Sequence, residues 1–171
     1  SILSKVEKGS PDYAAAREMQ AIAYMLSENS KQAERICLEL VEEGPSNVQA
    51  LATLAAVYTE QGRRDESREI AIRLCGLKNL TPEEVYKVAT VCCENNLHER
   101  ALEKFKELEK DIPYDGNMLY FKSVAAYNSG KIEMALDALE TLCTIYPDAA
   151  VAEYYLKAIR RYQAHPDREP K

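Results

Sequence analysis

The sequence predicts an all-α chain, an α-solenoid of antiparallel helix pairs closed at its C-terminal end by one further helix. Three observations predict it. Residues of one type recur every 34 positions, in several columns that share one phase. Within each period the apolar residues fall at helical spacing, and no segment sustains the alternation of apolar and polar residues that marks a half-buried strand. Gly or Asn, the residues that tolerate a positive φ, stand where one helix must hand over to the next.

The columns are explicit. Prolines stand at Pro11, Pro45, Pro113 and Pro147, with Asn79 where the missing one would lie. Leu40, Leu74, Leu108 and Leu142 keep the period without a gap. Two columns hold small residues throughout: Ala21, Ala55, Ala89 and Ser123, and Ala33, Ser67, Ala101 and Ala135. Their cause is steric. Two antiparallel helices joined by a short turn approach closely only if the facing positions carry little side chain, and a bulky residue at Ala55 or Ser67 would part them.

The elements follow in order. Residues 2–9, "ILSKVEKG", stand where the second helix of an earlier repeat would end, with Pro11 closing it. Repeat 1 carries Glu28-Asn29 at its turn, a weaker turn signal than the others. In repeat 2, "NVQALATLAAVYTEQ" (47–61) places Leu51, Leu54, Val57 and Tyr58 on one helical face. Gly62 makes the turn, and "RRDESREIAIRLCGL" forms the second helix. After Asn79, "LTPEEV" restores a helix start: Thr81 caps, Pro82 takes the first helical position and Glu84 completes a capping box. Asn96 and Gly130 occupy the turns of repeats 3 and 4. The run "AVAEYYLKAIRRYQ" (150–163) is in phase as a first helix, but Glu153, Lys157 and Arg160 make its outer side polar, as on a capping helix. "AHPDREPK" is expected to be a mobile polar tail.

A helix-turn-helix unit of 34 residues, small at its eighth and twentieth positions and with Pro at its thirty-second, resembles the tetratricopeptide repeat (TPR). In that frame the repeats are 14–47, 48–81, 82–115 and 116–149, flanked by 1–13 (end of a preceding helix), the capping helix 150–163 and the tail 164–171. The large residue of the fourth position is matched by Leu51, Val85 and Leu119, but repeat 1 has Arg17. The eleventh-position Tyr is matched by Tyr24 and Tyr58, then replaced by Cys92 and Ala126. The resemblance implies a single right-handed superhelix spanning residues 1–171. The start at Ser1 rather than Met, together with the segment 2–9, leads to the expectation of a fragment of a longer chain.

Composition narrows the function. The 171 residues carry a net charge of −6, with 29% charged residues and a pI of about 5.1. Nucleic-acid binding requires a focused cationic surface. The nearest stretch, "GRRDESREIAIRL", offsets Arg63, Arg64, Arg68 and Arg73 with Asp65, Glu66 and Glu69, so it reads as a solvated face with ion pairs at spacings of three and four. Five Cys (Cys37, Cys75, Cys92, Cys93, Cys143) form no spaced framework and read as reduced, mostly buried thiols of a cytoplasmic protein. His98, placed in a turn, and His165, in the tail, lack the spacing of a zinc site. Cys92 falls in the inward column and reads as core packing, while Cys93 is placed to face the groove. Neither a membrane span nor a signal peptide is expected. No catalytic residue, no metal and no cofactor are expected, and the chain reads as no enzyme.

The TPR resemblance implies that first helices line a concave groove. At the groove's fifth position stand Glu18, Ala52, Tyr86, Tyr120 and Tyr154, the last three forming a tyrosine ladder. The ninth holds Ile22, Ala56, Thr90, Val124 and Ala158, and Phe121, Tyr127, Tyr155 and Tyr162 lie beside the ladder. The candidate partner-binding residues are Tyr86, Thr90, Tyr120, Phe121, Val124, Tyr127 and Tyr154. The competing reading is that the rings pack to hold the array. For Tyr154, Tyr155 and Tyr162 that packing reading is favoured, since terminal helices often bury aromatics to seal an end. The Lys and Asn clamp by which some TPR domains grip chaperone tails is missing: Glu18, Ile22, Ala52 and Ala56 stand there, and Lys87 is a lone candidate. The expected function is a non-catalytic scaffold or adaptor that binds a peptide or protein. The alternatives are a structural spacer or self-association module, and a regulatory domain of a larger protein.

Overall fold

The computed structural model describes residues 11–166, which form α1 (Pro11–Leu26), α2 (Ser30–Glu43), α3 (Val48–Glu60), α4 (Arg64–Cys75), α5 (Pro82–Glu94), α6 (His98–Leu108), α7 (Gly116–Asn128), α8 (Ile132–Ile145) and α9 (Ala150–Ala164). No strand occurs among the described residues. The segment 2–9 and residues 167–171 of the tail lie outside them. The chain divides into two compact units, Ser1–Asn96 and Leu97–Lys171.

In the first unit, α1 packs on α2 and α3 on α4, while α2 and α4 pack against α3 and α5 respectively. α1 opens at Pro11 itself. Pro11 takes a helix-start position, where a missing N–H costs nothing, and Asp12 follows in the positive first turn; the earlier helix it was expected to close lies outside the described residues. The turn between α1 and α2 is made by Glu28, whose φ of 59° is left-handed, as is Gly62 at 75° between α3 and α4. In both, two backbone bonds close the helix end. Asn29 N–H reaches Tyr24 O at 2.8 Å and Glu28 N–H reaches Met25 O at 3.1 Å, while Arg63 N–H reaches Tyr58 O at 2.8 Å and Gly62 N–H reaches Thr59 O at 3.0 Å. The expected capping box is present at α5: Glu84 N–H donates to the Thr81 hydroxyl at 3.3 Å, and Thr81 N–H donates to the Glu84 carboxylate at 2.8 Å.

The small columns lie at the closest approaches. Ala21, Ala33, Ala55, Ser67 and Ala89 are all fully or almost fully buried. Ser67 donates its hydroxyl to the Ala55 carbonyl across the helix pair at 2.9 Å and lies 2.9 Å from the Thr59 hydroxyl. A polar atom is thus buried there only because the other small column supplies its partner. Around these contacts Ile36, Cys37, Leu40, Ala50, Leu54 and Tyr58 form one apolar cluster.

Arg63 organises the end of the α3–α4 pair in a way the sequence showed only in part. It pairs with Glu66 at the expected spacing, but also with Glu34 of α2 at 2.7 Å. Its guanidinium lies 4.1 Å from the centre of the Tyr58 ring. Burial works against the charge of Glu34, yet the Arg63 and Gln61 hydrogen bonds outweigh it and hold the carboxyl below its ordinary pKa. Arg68 and Arg73 donate instead to the backbone carbonyls of Asn95 and Pro45.

In the second unit, α6 packs on α7, α7 on α8 and α8 on α9. His98 is not in a turn: Leu97 is the N-cap and His98 the first residue of α6. Asp115 caps α7 by accepting from Met118 N–H at 2.7 Å. Ala101, Leu108, Ser123, Ala135 and Leu142 continue the buried columns. Gly130 turns the chain at a φ of 72°, closed by Lys131 N–H to Ala126 O at 2.9 Å. At the foot of α7, Tyr146 donates its hydroxyl to Tyr114 O at 3.1 Å. A Cβ on Gly116 would come within 3.1 Å of the Tyr146 ring, so a larger residue there would make the ring give way by a few tenths of an ångström. Glu153, Lys157 and Arg160 on α9 are exposed, as expected. Lys157 pairs with Glu153, and Arg160 reaches back to Glu140 of α8.

Candidate functional site

α7 and α9 face each other across a cleft of about 610 Å³ within the second unit. Tyr120, Val124 and Tyr127 line it from α7, at helical positions i, i+4 and i+7. From α9 come Tyr154, Tyr155, Ala158 and Tyr162, with Ile159 below them and Leu139 of α8 beneath both walls. The opposite faces of the two helices are spent on the core, where Leu119, Ala125, Ala126, Ala152 and Leu156 are buried. That division of faces leaves the tyrosines outward.

The rings are substantially in solvent: Tyr154 is 68% exposed, Tyr162 50%, Tyr127 49% and Tyr155 44%. Tyr154 meets Tyr155 edge to face, with centroids 5.5 Å apart and planes at 74°, which helps to fix both rings. No charged residue lines the cleft. Of its other polar side chains, Ser123 donates to Tyr120 O at 2.6 Å and the Asn128 amide donates to Val124 O at 2.8 Å. The tyrosine hydroxyls and the Asn128 amide oxygen are left to meet a ligand.

The expected site residues divide. Tyr120, Val124, Tyr127 and Tyr154 come together in the cleft. Phe121 does not line it; it stands edge-on to Tyr120, with centroids 5.8 Å apart. Tyr86 and Thr90 are on α5 in the first unit, half-buried, with the Thr90 hydroxyl donating to Tyr86 O at 2.9 Å. The expectation that Tyr154, Tyr155 and Tyr162 are buried to seal an end is corrected by their exposure: Ala152, Leu156 and Ile159 bury α9, and the tyrosines lie on its other side. Leu139, Ser123, Asn128 and Ile159 complete the lining and were not foreseen. Ser123 and Ile159 carry core signals in the sequence, and Leu139 belongs to a second helix.

A second hollow, of about 370 Å³ in the first unit, is lined by Glu18, Asn47, Thr81, Glu83, Glu84 and Lys87 among others. Its polar groups serve one another. Asn47 donates to Glu18 at 2.7 Å, Lys87 pairs with Glu83 at 3.2 Å, and Glu84 belongs to the capping box. Lys87, the lone candidate for a carboxylate clamp, is thereby engaged.

Burial, with Glu18 adding to it, pushes the Cys37 thiol up to about 12. Burial does the same for Cys93, with Glu94 adding, also to about 12. Such thiols stay protonated at neutral pH and are poor nucleophiles. Cys92 is fully buried, as expected of the inward column. Among the described residues no group of three His, Cys, Asp or Glu is placed to hold a metal ion. No helix among them is long and apolar enough to cross a membrane.

These features define an all-α protein of packed helices with an aromatic cleft between α7 and α9. Solved structures share that fold. The MamA 41-end structure from Desulfovibrio magneticus RS-1 is similar at 13% identity, with a TM-score of 0.71 over 90% of this chain and 86% of that one. MamA AMB-1 gives 14% identity and a TM-score of 0.71 over 86% and 88%, and a crystal structure of MamA gives 16% and 0.66 over 84% and 83%. No protein-family model matches the chain, and no curated protein matches it in sequence.

Proposed function

We propose that the chain is a non-catalytic adaptor, a TPR-like array of the repeats 14–47, 48–81, 82–115 and 116–149 with 150–163 as its closing helix, that holds a peptide segment of a partner protein. The observation that carries this reading is the cleft between α7 and α9, where Tyr127, Tyr154, Tyr155 and Tyr162 each leave about half their surface or more in solvent. Grouped exposed rings of this kind mark an interaction surface rather than chance. Tyrosine suits recognition because it offers a large rigid face and a hydroxyl at low entropy cost.

The reading is tested by panning a random-peptide display library on the full chain, then measuring the enriched peptides on Tyr120→Ala and Tyr154→Ala variants. Enriched peptides should bind the wild type saturably. They should lose at least about tenfold in affinity on the variants, the effect of a central aromatic contact, while circular dichroism stays unchanged. No enrichment, or enriched peptides that bind both variants as well as the wild type, would sink it.

A further inference from the structure

We infer that α9 is a detachable wall of the cleft: it leaves α8 and rejoins it as one unit while α7 and α8 stay folded. Its use in binding rests on the adaptor reading above, and it names how that site is opened and closed. Three properties of the second unit carry it.

The first is how little of α9 is buried. Three of its 15 residues, Ala152, Leu156 and Ile159, are buried, against five on each of α7 and α8. One of the three is an alanine, so Leu156 and Ile159 supply most of the apolar surface that docking hides. Val151 and Tyr154 are more than half exposed already and lose little when the helix departs.

The second is where α9 is attached. α7 is packed on both α6 and α8, while α9 packs on α8, and the cleft lies between α9 and α7. The side-chain links from α9 to α8 run from Arg160 to Glu140 and from Gln163 to Glu133, and both join exposed groups. Links of that kind are screened by water and hold little.

The third is the helix itself. Asp115 caps the start of α7, but Ala149, at the start of α9, has no side chain that can accept from the open N–H groups. A helix of this length is marginal in water once its packed face is bare. α9 therefore melts when it undocks, and its backbone amides open together.

The consequence falls on the cleft. Tyr154, Tyr155, Ala158 and Tyr162 are its α9 wall, so the cleft exists only in the docked form. A peptide that touches both walls binds that form alone and draws α9 shut. Binding and docking are then one linked equilibrium.

The test is peptide-resolved hydrogen–deuterium exchange of the full chain at neutral pH. Amides of Ala150–Ala164 should exchange together, at least about tenfold faster than the helical amides of α7 and α8. Leu156→Ala removes buried surface at a residue that does not line the cleft. It should speed exchange in α9 at least about tenfold more and leave α7 and α8 unchanged. Arg160→Ala, at an exposed position where folding is not at risk, should speed α9 by about two- to fivefold. Equal protection of α7, α8 and α9 in the wild type would overturn the inference. So would either variant if it speeds all three helices together. If α9 opens alone and the library selection enriches no peptide, the inference stands and the adaptor reading falls. If peptides are enriched and α9 opens only together with α7 and α8, the adaptor reading stands and the inference falls.

Discussion

Glu28 is a test of how the turns are built. It sits at the left-handed turn between α1 and α2 with a φ of 59°, where the corresponding turns use Gly62 (φ 75°) and Gly130 (φ 72°). An L-residue with a side chain costs roughly 1–2 kcal/mol in that conformation. Glycine removes this strain but gives up about 0.5–1 kcal/mol of chain entropy. Glu28→Gly should therefore stabilise the protein by about 0.5–1 kcal/mol. For a chain of this length that is about 1–4 °C in melting temperature. The reciprocal change supports the reasoning: a Cβ on Gly130 meets nothing within 4 Å, so Gly130→Ala has no clash and should lose a similar amount through backbone strain alone. Thermal melts followed by circular dichroism at 222 nm, with urea midpoints to check them, read both changes. A Glu28→Gly variant that melts below the wild type, or a Gly130→Ala variant that melts above it, would refute the account.

Two further predictions concern the packing between helices. Ser67→Ala removes the hydroxyl bonded to Ala55 O and Thr59 and should cost about 1 kcal/mol. Ser67→Leu forces the α3–α4 pair apart and should cost about 1–3 kcal/mol or more, so equal urea midpoints for wild type and Leu variant would contradict the close-contact role. The Arg63 cluster predicts a pH dependence. For Glu34 burial raises the pKa, but the Arg63 and Gln61 bonds bring the net shift down; for Glu66 the Arg63 bond itself lowers it. A depressed carboxylate contributes stability above its unfolded pKa and loses it as pH falls through the folded one. The gap in urea midpoint between wild type and Arg63→Ala should thus be wide at pH 7 and narrow below about pH 4, and a gap that widens in acid would reverse the assignment.

The period was legible because each of its columns answers a local steric demand. Ala55 and Ser67 must be small wherever two helices meet closely, and Gly62, Asn96 and Gly130 must tolerate a positive φ, so chain positions alone reveal them. The turn at Glu28 was harder, since the geometry is imposed there on a residue that does not prefer it. Exposure was the least legible property. Tyr86, Tyr120 and Tyr154 share one column, yet the first two are half-buried and Tyr154 is 68% exposed. A column fixes which way a side chain leaves its helix, not what stands opposite. For the same reason Leu139 could not be assigned to the cleft, and the link from Arg63 to Glu34, 29 residues apart, lay beyond any spacing rule for one helix.

The crowding of tyrosines has an optical consequence. The chain has no tryptophan, so its near-ultraviolet absorption and emission come chiefly from eleven tyrosines, and five of these line a single cleft. Where a tryptophan would normally mask them, these phenols are the dominant chromophores. Whatever enters between α7 and α9 must therefore change the intrinsic signal of the whole molecule, and the cleft carries its own label.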